Sequence, residues 1–131
     1  MTAHLDHTIV YSNDRFRGAR FLAELIEAPE PTAFGPFAAL ELAGGTTLDY
    51  YEGDGAEITV QHLAFRVSDD LFERILAKHV ERGLPYWADP VHEEPGRTYL
   101  MHGSRGFYAD DPDGHNLEFL TAPQGEADPS A

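Results

Sequence analysis

The sequence predicts an α+β fold of two βαβββ modules, each folding a cup-shaped, mixed but mostly antiparallel sheet. Three observations predict it. The order of apolar runs and turn signals occurs twice along 131 residues. Both halves carry a histidine late in or near their first strand, followed by Ser, Asp and Phe. His7 leads to Ser12, Asp14 and Phe16; His62 leads to Ser68, Asp70 and Phe72, with one residue more. Both halves also end in leucine, carboxylate, aromatic: Leu48-Asp49-Tyr50 and Leu117-Glu118-Phe119. An internal repeat constrains the architecture before any single element does. Module one covers about 4–53 and module two about 57–121, forming one domain over 1–121. Residues 122–131 read as a frayed acidic tail.

Leu5 to Ser12 is apolar and β-branched and reads as the first strand, with the turn cluster Ser12-Asn13-Asp14 at its end. Asp14 can cap the helix that follows. Phe16, Ala19, Leu22, Ala23 and Ile26 recur there at helical spacing, and Pro29 and Pro31 stop it. Phe34 to Leu42 is an apolar run ending at the hairpin signal Gly44-Gly45. Thr46 to Glu52 resumes as a strand, and Gly53-Asp54-Gly55 breaks it.

The second half begins with a strand over Glu57 to Val67. Ser68-Asp69-Asp70 caps a helix from Leu71 to Arg82, with Phe72, Ile75, Leu76, His79 and Val80 on one stripe and Gly83 as C-terminal cap. Pro85 to Val91 is short and extended, and His92 to Gly96 is a polar loop. Tyr99 to Met101 and Gly106 to Ala109 are short strands. Asp111-Pro112-Asp113-Gly114 is a tight turn before the last strand, Asn116 to Thr121. The second copy is longer, mainly between Pro90 and Arg105.

Nine Lys plus Arg stand against 23 Asp plus Glu, a net charge of −14. Such a surface repels nucleic acid phosphates and anionic lipid, so neither is an expected partner. It favours solubility and would attract a cationic ligand. No apolar run is long enough to span a membrane, and Met1 to Asp6 lacks a basic region before an apolar stretch. Cysteine is absent, which excludes disulfides, a thiolate nucleophile and a cysteine zinc site. A cytoplasmic location is expected.

Two repeats related by a pseudo-twofold bring equivalent residues toward a shared centre. The equivalent pairs here are His7 with His62 and Asp49 with Glu118. All four are ligand types for a divalent metal. Two imidazoles and one carboxylate with open positions suit Fe, Mn or Zn, and a second carboxylate completes a six-coordinate ion with two waters. The strand period of two sets Glu118 on the face opposite Leu117 and Phe119, which is unusual unless that face lines a polar site. Asp49 is one methylene shorter than Glu.

These residues resemble motifs of the vicinal oxygen chelate superfamily, which includes glyoxalase I, extradiol dioxygenases, and fosfomycin and bleomycin resistance proteins. His7, Asp14 and Phe21 meet the spacing of the glyoxalase opening, with Leu22 where the family often has Tyr. Phe107-Tyr-Ala-Asp-Asp-Pro-Asp-Gly-His-Asn-Leu-Glu118 resembles the closing motif that ends in the ligand Glu. The resemblance spans nearly all of residues 4–121.

It implies the glyoxalase/bleomycin resistance/dioxygenase fold and a metal-dependent enzyme, a lyase, isomerase or dioxygenase. The substrate would chelate one divalent ion (Fe, Mn, Zn or Ni) through two neighbouring oxygens, and the ion would stabilise an enediolate-like or catecholate-like anion as a Lewis acid. His7, His62 and Glu118 would be ligands, with Asp49 at the place of a family Glu. Asp49 or Glu118 would shuttle a proton. In similar dioxygenases a Gly-x-Thr-x-His segment supplies a further catalytic His. Gly96 and Thr98 match it, and His102 comes two residues late.

The alternative is a non-catalytic protein that sequesters an antibiotic, as bleomycin-binding relatives do with an apolar groove and no ligands. Trp87, Tyr99, Phe107 and Tyr108, with Tyr86, stand in the right half to line a substrate pocket. Similar short members form homodimers. His4 reads as exposed, His79 as structural, His92 as a loop residue and His115 as locally packed. Arg105 would bind an anionic group or form a surface ion pair.

Overall fold

The computed structural model describes residues 2–53, 55 and 57–122. The expected acidic tail lies outside them beyond its first residue, as does Asp54 of the expected break. The chain divides into two compact units. The first holds residues up to Gln61 together with Asp111–Asp113; the second holds the rest from His62. Among the described residues, no helix is long and apolar enough to cross a membrane.

The first unit runs β1 (His7–Tyr11), α1 (Arg15–Ile26), β2 (Thr32–Phe34), β3 (Phe37–Glu41) and β4 (Thr47–Tyr51). Its sheet order is β1-β4-β3-β2, with β1 parallel to β4 and the other pairs antiparallel. Asp14 caps α1, its carboxylate accepting the Arg17 N–H at 3.2 Å. The helix stops at Glu27, which adopts a left-handed φ of 61°, two residues before Pro29. Ala19, Leu22 and Leu25 of α1 are fully buried, as are Val10, Ala38, Leu40 and Tyr50 of the sheet. Gly18 permits the close approach, because a Cβ there would stand 2.9 Å from Ser12 Oγ and 3.2 Å from the Tyr50 ring.

Three expectations shift here. The first strand starts at His7 rather than Leu5. Leu25, not Ile26, completes the buried stripe of α1. The run from Phe34 to Leu42 is not continuous: Gly35, at φ 55°, and Pro36 turn it into a hairpin that pairs Phe34 with Phe37. The extra strand β2 went unread because it is three exposed residues long.

The second unit runs β5 (His62–Arg66), α2 (Asp69–Arg82), β6 (Tyr86–Trp87), β7 (Tyr99–Met101), β8 (Ser104–Asp110) and β9 (Asn116–Leu120). Its order β5-β9-β8 repeats β1-β4-β3, and β5 is parallel to β9 as β1 is to β4. The place of β2 is shared by β6 and β7, which pair with successive stretches of β8. Two open mixed sheets of βαβββ type are therefore present. Ser68 caps α2 by accepting the Leu71 N–H at 3.1 Å, and Gly83 closes it at φ 65°. Phe72, Ile75 and His79 are buried, whereas Val80, expected on the same stripe, is 63% exposed. Positions 72, 75 and 79 align on a helix; 80 lies about 100° further round. The strand expected from Glu57 is ladder-paired only from His62, where β9 begins to face it.

Candidate metal centre

The register of β8 and β9 sorts the second unit's sheet into two faces. Phe107 opposes Phe119 and Ala109 opposes Leu117; all four are fully buried. Between them, Tyr108 opposes Glu118, and Trp87 opposes Tyr108 in turn. Directly paired residues share a face and neighbours along a strand do not. Glu118, Tyr108 and Trp87 thus share one face. Phe107 looks the other way, into the rings of Phe72, His79, Tyr86 and Phe119 at 5.1–5.5 Å. Phe107, expected to line a substrate pocket, is a core residue instead, and the half-buried Tyr86 packs against it.

Glu118 is the hub of the other face. Its Oε1 lies 3.0 Å from His62 Nε2, and its Oε2 accepts the Tyr99 hydroxyl at 2.6 Å. The Glu118 side chain is 12% exposed, and that of His62 is 47% exposed. The His62 ring stands 5.8 Å from Tyr108, which stands 5.9 Å from Tyr99. Desolvation first, and then the Glu118 charge and hydrogen bond, push the Tyr108 phenol up to about 12. The same causes raise Tyr99 further. Both phenols are therefore neutral donors near pH 7.

Trp87 stacks face to face on His92, with centroids 3.8 Å apart. His92 Nε2 lies 3.1 Å from Asn116 Oδ1. Neither His92 nor Asn116 was expected at this face, because the loop that returns His92 to Trp87 leaves no periodic signal.

In the first unit, His7 and Asp49 occupy the corresponding places. His7 opposes Thr47 and Ile9 opposes Asp49, so the carboxylate lies two residues along the parallel partner strand on the same face. His62 opposes Asn116 and Ala64 opposes Glu118, which is the same offset. Asp49 is buried and His7 exposed.

His7 Nδ1 is 2.7 Å from the Asp6 carboxylate. That bond, followed by the charges of Asp6 and Asp49, raises the imidazole's pKa, with partial desolvation opposing. It leaves Nε2 as the free ring nitrogen, the arrangement that a carboxylate commonly imposes on a ligating histidine. Asp6 was not singled out, since strand neighbours point to opposite faces. β1 begins at His7, and Asp6, whose carbonyl accepts the Thr47 N–H at 2.9 Å, turns its carboxylate back to the ring.

The donor set of each pair suits a divalent ion. Two adjacent ligands with bonds of about 2.1 Å at right angles stand about 3 Å apart, and His62 Nε2 to Glu118 Oε1 is 3.0 Å. Each unit supplies one histidine and one carboxylate. Among the described residues, no group of three or more His, Asp or Glu side chains is gathered ready for an ion.

His102, expected to be catalytic, is not brought to Glu118. It sits exposed at φ 52° beside Gly103 in the turn between β7 and β8. That turn adjoins Ser104, four residues along β8 from Tyr108, or about 13 Å at strand rise. Arg105 pairs with Glu73 and lies 4.6 Å over the Phe72 ring, so it is a surface ion pair. His4 is exposed, and His79 and His115 are buried.

No protein-family model matches the sequence, and no curated protein matches it. Solved structures do. The oxidase ChaP-H2 is 47% identical, with 97% of this chain and 99% of that one covered and a TM-score of 0.91. The oxidase ChaP-H1 is 44% identical over 95% of this chain and 99% of that one, also with a TM-score of 0.91. A lactoylglutathione lyase from Agrobacterium tumefaciens shares the fold at a TM-score of 0.70, with 12% identity over 92% of this chain and 95% of that one. With its two βαβββ units, the chain shares the fold of glyoxalase, dioxygenase and fosfomycin resistance proteins, and it belongs to the same family as the oxidases ChaP-H1 and ChaP-H2.

Proposed function

We propose that this chain is a metal-dependent enzyme, an oxidase by kinship with ChaP-H1 and ChaP-H2, acting on a small substrate that binds a divalent ion through two neighbouring oxygens. The observation that carries the reading is the identical offset of His7 to Asp49 and of His62 to Glu118 in two separate sheets. A packing histidine has no reason to recur with a carboxylate at the same lattice offset. A ligand pair does.

His7, His62 and Glu118 are the proposed ligands, with Asp49 a fourth ligand or a proton acceptor. A bound ion of the Fe, Mn, Zn or Ni class would supply Lewis acidity that lowers the cost of negative charge on the substrate's oxygens. The remaining work belongs to the chain. Asp6 orients His7 and Tyr99 holds Glu118. Asp49, a buried carboxylate, is suited to take a proton from a substrate hydroxyl. Tyr108, neutral near pH 7, can donate a hydrogen bond to a substrate oxygen. The Trp87–His92 stack forms a flat wall that keeps water from one side. We further propose a cytoplasmic homodimer in which the pair from one kind of unit meets the pair from the other. Sedimentation at micromolar concentration should give twice the chain mass, and monomer alone would count against the assembly.

The test is metal analysis of protein purified without a His-tag. Wild type should hold one divalent ion per chain after supplementation, and His62→Ala should lose most of it. Equal emptiness of both would sink the reading. Ligand titration read by Trp87 fluorescence then separates enzyme from drug-sequestering protein. Binding that a chelator abolishes supports the enzyme. Tight, chelator-indifferent binding of an intact aromatic compound without product supports sequestration.

A further inference from the structure

We propose that Tyr99 is a positioning residue that confines Glu118 to binding a metal through one oxygen, and that position 106 is glycine so that Tyr99 can do it. The inference rests on Glu118 being a ligand, as proposed above.

Three observations carry it. Tyr99 does not sit beside Glu118 in the sheet: it opposes Gly106 on β8, while Glu118 lies on β9, opposite Tyr108. For its hydroxyl to reach Oε2 at 2.6 Å, the Tyr99 ring must lie across β8. The residue it crosses is Gly106, where a Cβ would overlap the ring's Cζ and hydroxyl oxygen. Among the described residues, nine other glycines take a positive φ, and Gly106 does not. Its backbone conformation is open to any residue, so the ring, not the turn chemistry, explains the glycine.

The consequence is chemical. A carboxylate with both oxygens free can grip an ion with two bonds. With Oε2 occupied by the Tyr99 hydroxyl, Glu118 offers only Oε1, the atom already 3.0 Å from His62 Nε2. A one-oxygen ligand leaves one more coordination position open for a substrate that needs two. Tyr99, expected from the sequence to line the pocket, thereby sets how many positions the pocket contains. Outer residues of this kind commonly change metal affinity by about 10–100-fold when removed.

Cobalt(II) is the probe, because its visible absorption weakens as coordination number rises. Tyr99→Phe, which keeps the ring, should change cobalt affinity about tenfold. It should also weaken the visible bands while leaving the thermal unfolding midpoint of the metal-free protein near wild type. Unchanged affinity and bands would overturn the proposal. Gly106→Ala should reproduce the band change by displacing the ring. In a Tyr99→Ala background, Gly106→Ala should add nothing, and an additive effect would overturn the role given to the glycine.

One measurement needs no metal. The Tyr99 hydroxyl proton, held against Oε2, should give a slowly exchanging proton resonance that both Tyr99→Phe and Gly106→Ala remove. Its absence from wild type would overturn the Tyr99–Glu118 link itself. Wild-type protein that shows the resonance and binds no cobalt would instead overturn the ligand reading of Glu118, and the one-oxygen claim with it.

Discussion

Phe107 and Phe119 face each other across β8 and β9 with ring centroids 5.4 Å apart, and this pair turns Tyr108 and Glu118 to the opposite face. The packing of the α2 side and the chemistry of the other side are therefore locked in one register. A one-residue slip of β9 would bury Glu118 and expose Leu117 and Phe119.

That relationship separates two mutations one residue apart. Phe107→Ala should cost about 3–5 kcal/mol of stability, as for other large-to-small core changes. Ligand affinity of the folded fraction should be unaltered. Tyr108→Phe removes a hydroxyl on the Glu118 face and should change stability by no more than about 1 kcal/mol while changing ligand binding. Urea denaturation and Trp87 fluorescence titration read the two effects. A Phe107→Ala protein that is stable and binds poorly would return Phe107 to the pocket.

Asp6 supports His7 from outside the strand, and this is testable through the metal. Asp6→Asn keeps the shape and removes the charge that favours a ring proton on Nδ1. Affinity for a divalent ion should fall about tenfold. Calorimetric titration of wild type and variant with the same ion measures it, and equal affinities would show that Asp6 does not orient the ligand.

His102 gives the converse prediction. It occupies a turn position at φ 52°, followed by Gly103 at φ 82°, a geometry in which glycine or asparagine is at ease. His102→Gly should change stability by less than about 1 kcal/mol, because relief of the left-handed backbone offsets the added freedom of the unfolded chain. Turnover should match wild type. A large loss of turnover with an unchanged fold would restore a catalytic role.

The residues that were legible in the sequence share a property: their positions follow from strand and helix periods alone. The His–carboxylate pairs could be aligned because two copies carry them at matching places, and the closing motif that the sequence resembles pointed to Glu118. The rest depended on lateral pairing, which one strand does not reveal. Tyr99 reaches Glu118 only across Gly106, and His92 reaches Trp87 only through the return of its loop. The error at Phe107 was avoidable. Residues 107 and 108 alternate on a strand and cannot both line one face, so one of the two had to point away; the pairing of Tyr108 with Glu118 decides that it is Phe107. The two-residue hairpin loop at Gly35-Pro36 was likewise readable as turn chemistry inside an apolar run.

His79 makes the stability of the second unit depend on pH. Its Nδ1 bonds the Ile75 carbonyl at 2.9 Å, while Nε2 is buried with no hydrogen-bond partner among aromatic rings. Burial, the largest cause, holds its pKa below the ordinary value of 6.5; the Ile75 bond opposes this and the Arg82 charge assists it. A depressed imidazole is neutral in the folded state while the unfolded chain already binds a proton. Between the two values the unfolded state holds more protons, so stability falls as pH drops below about 6.5. His7 acts in the opposite sense, its raised value adding stability on acidification, but it is exposed and solvent screens its contribution. Urea unfolding at pH 7.5 and 5.5 should therefore show wild type losing more stability on acidification than His79→Leu, which fills similar space with no titrating group. Identical losses in the two proteins would mean that the buried imidazole takes up its proton without disturbing the aromatic core.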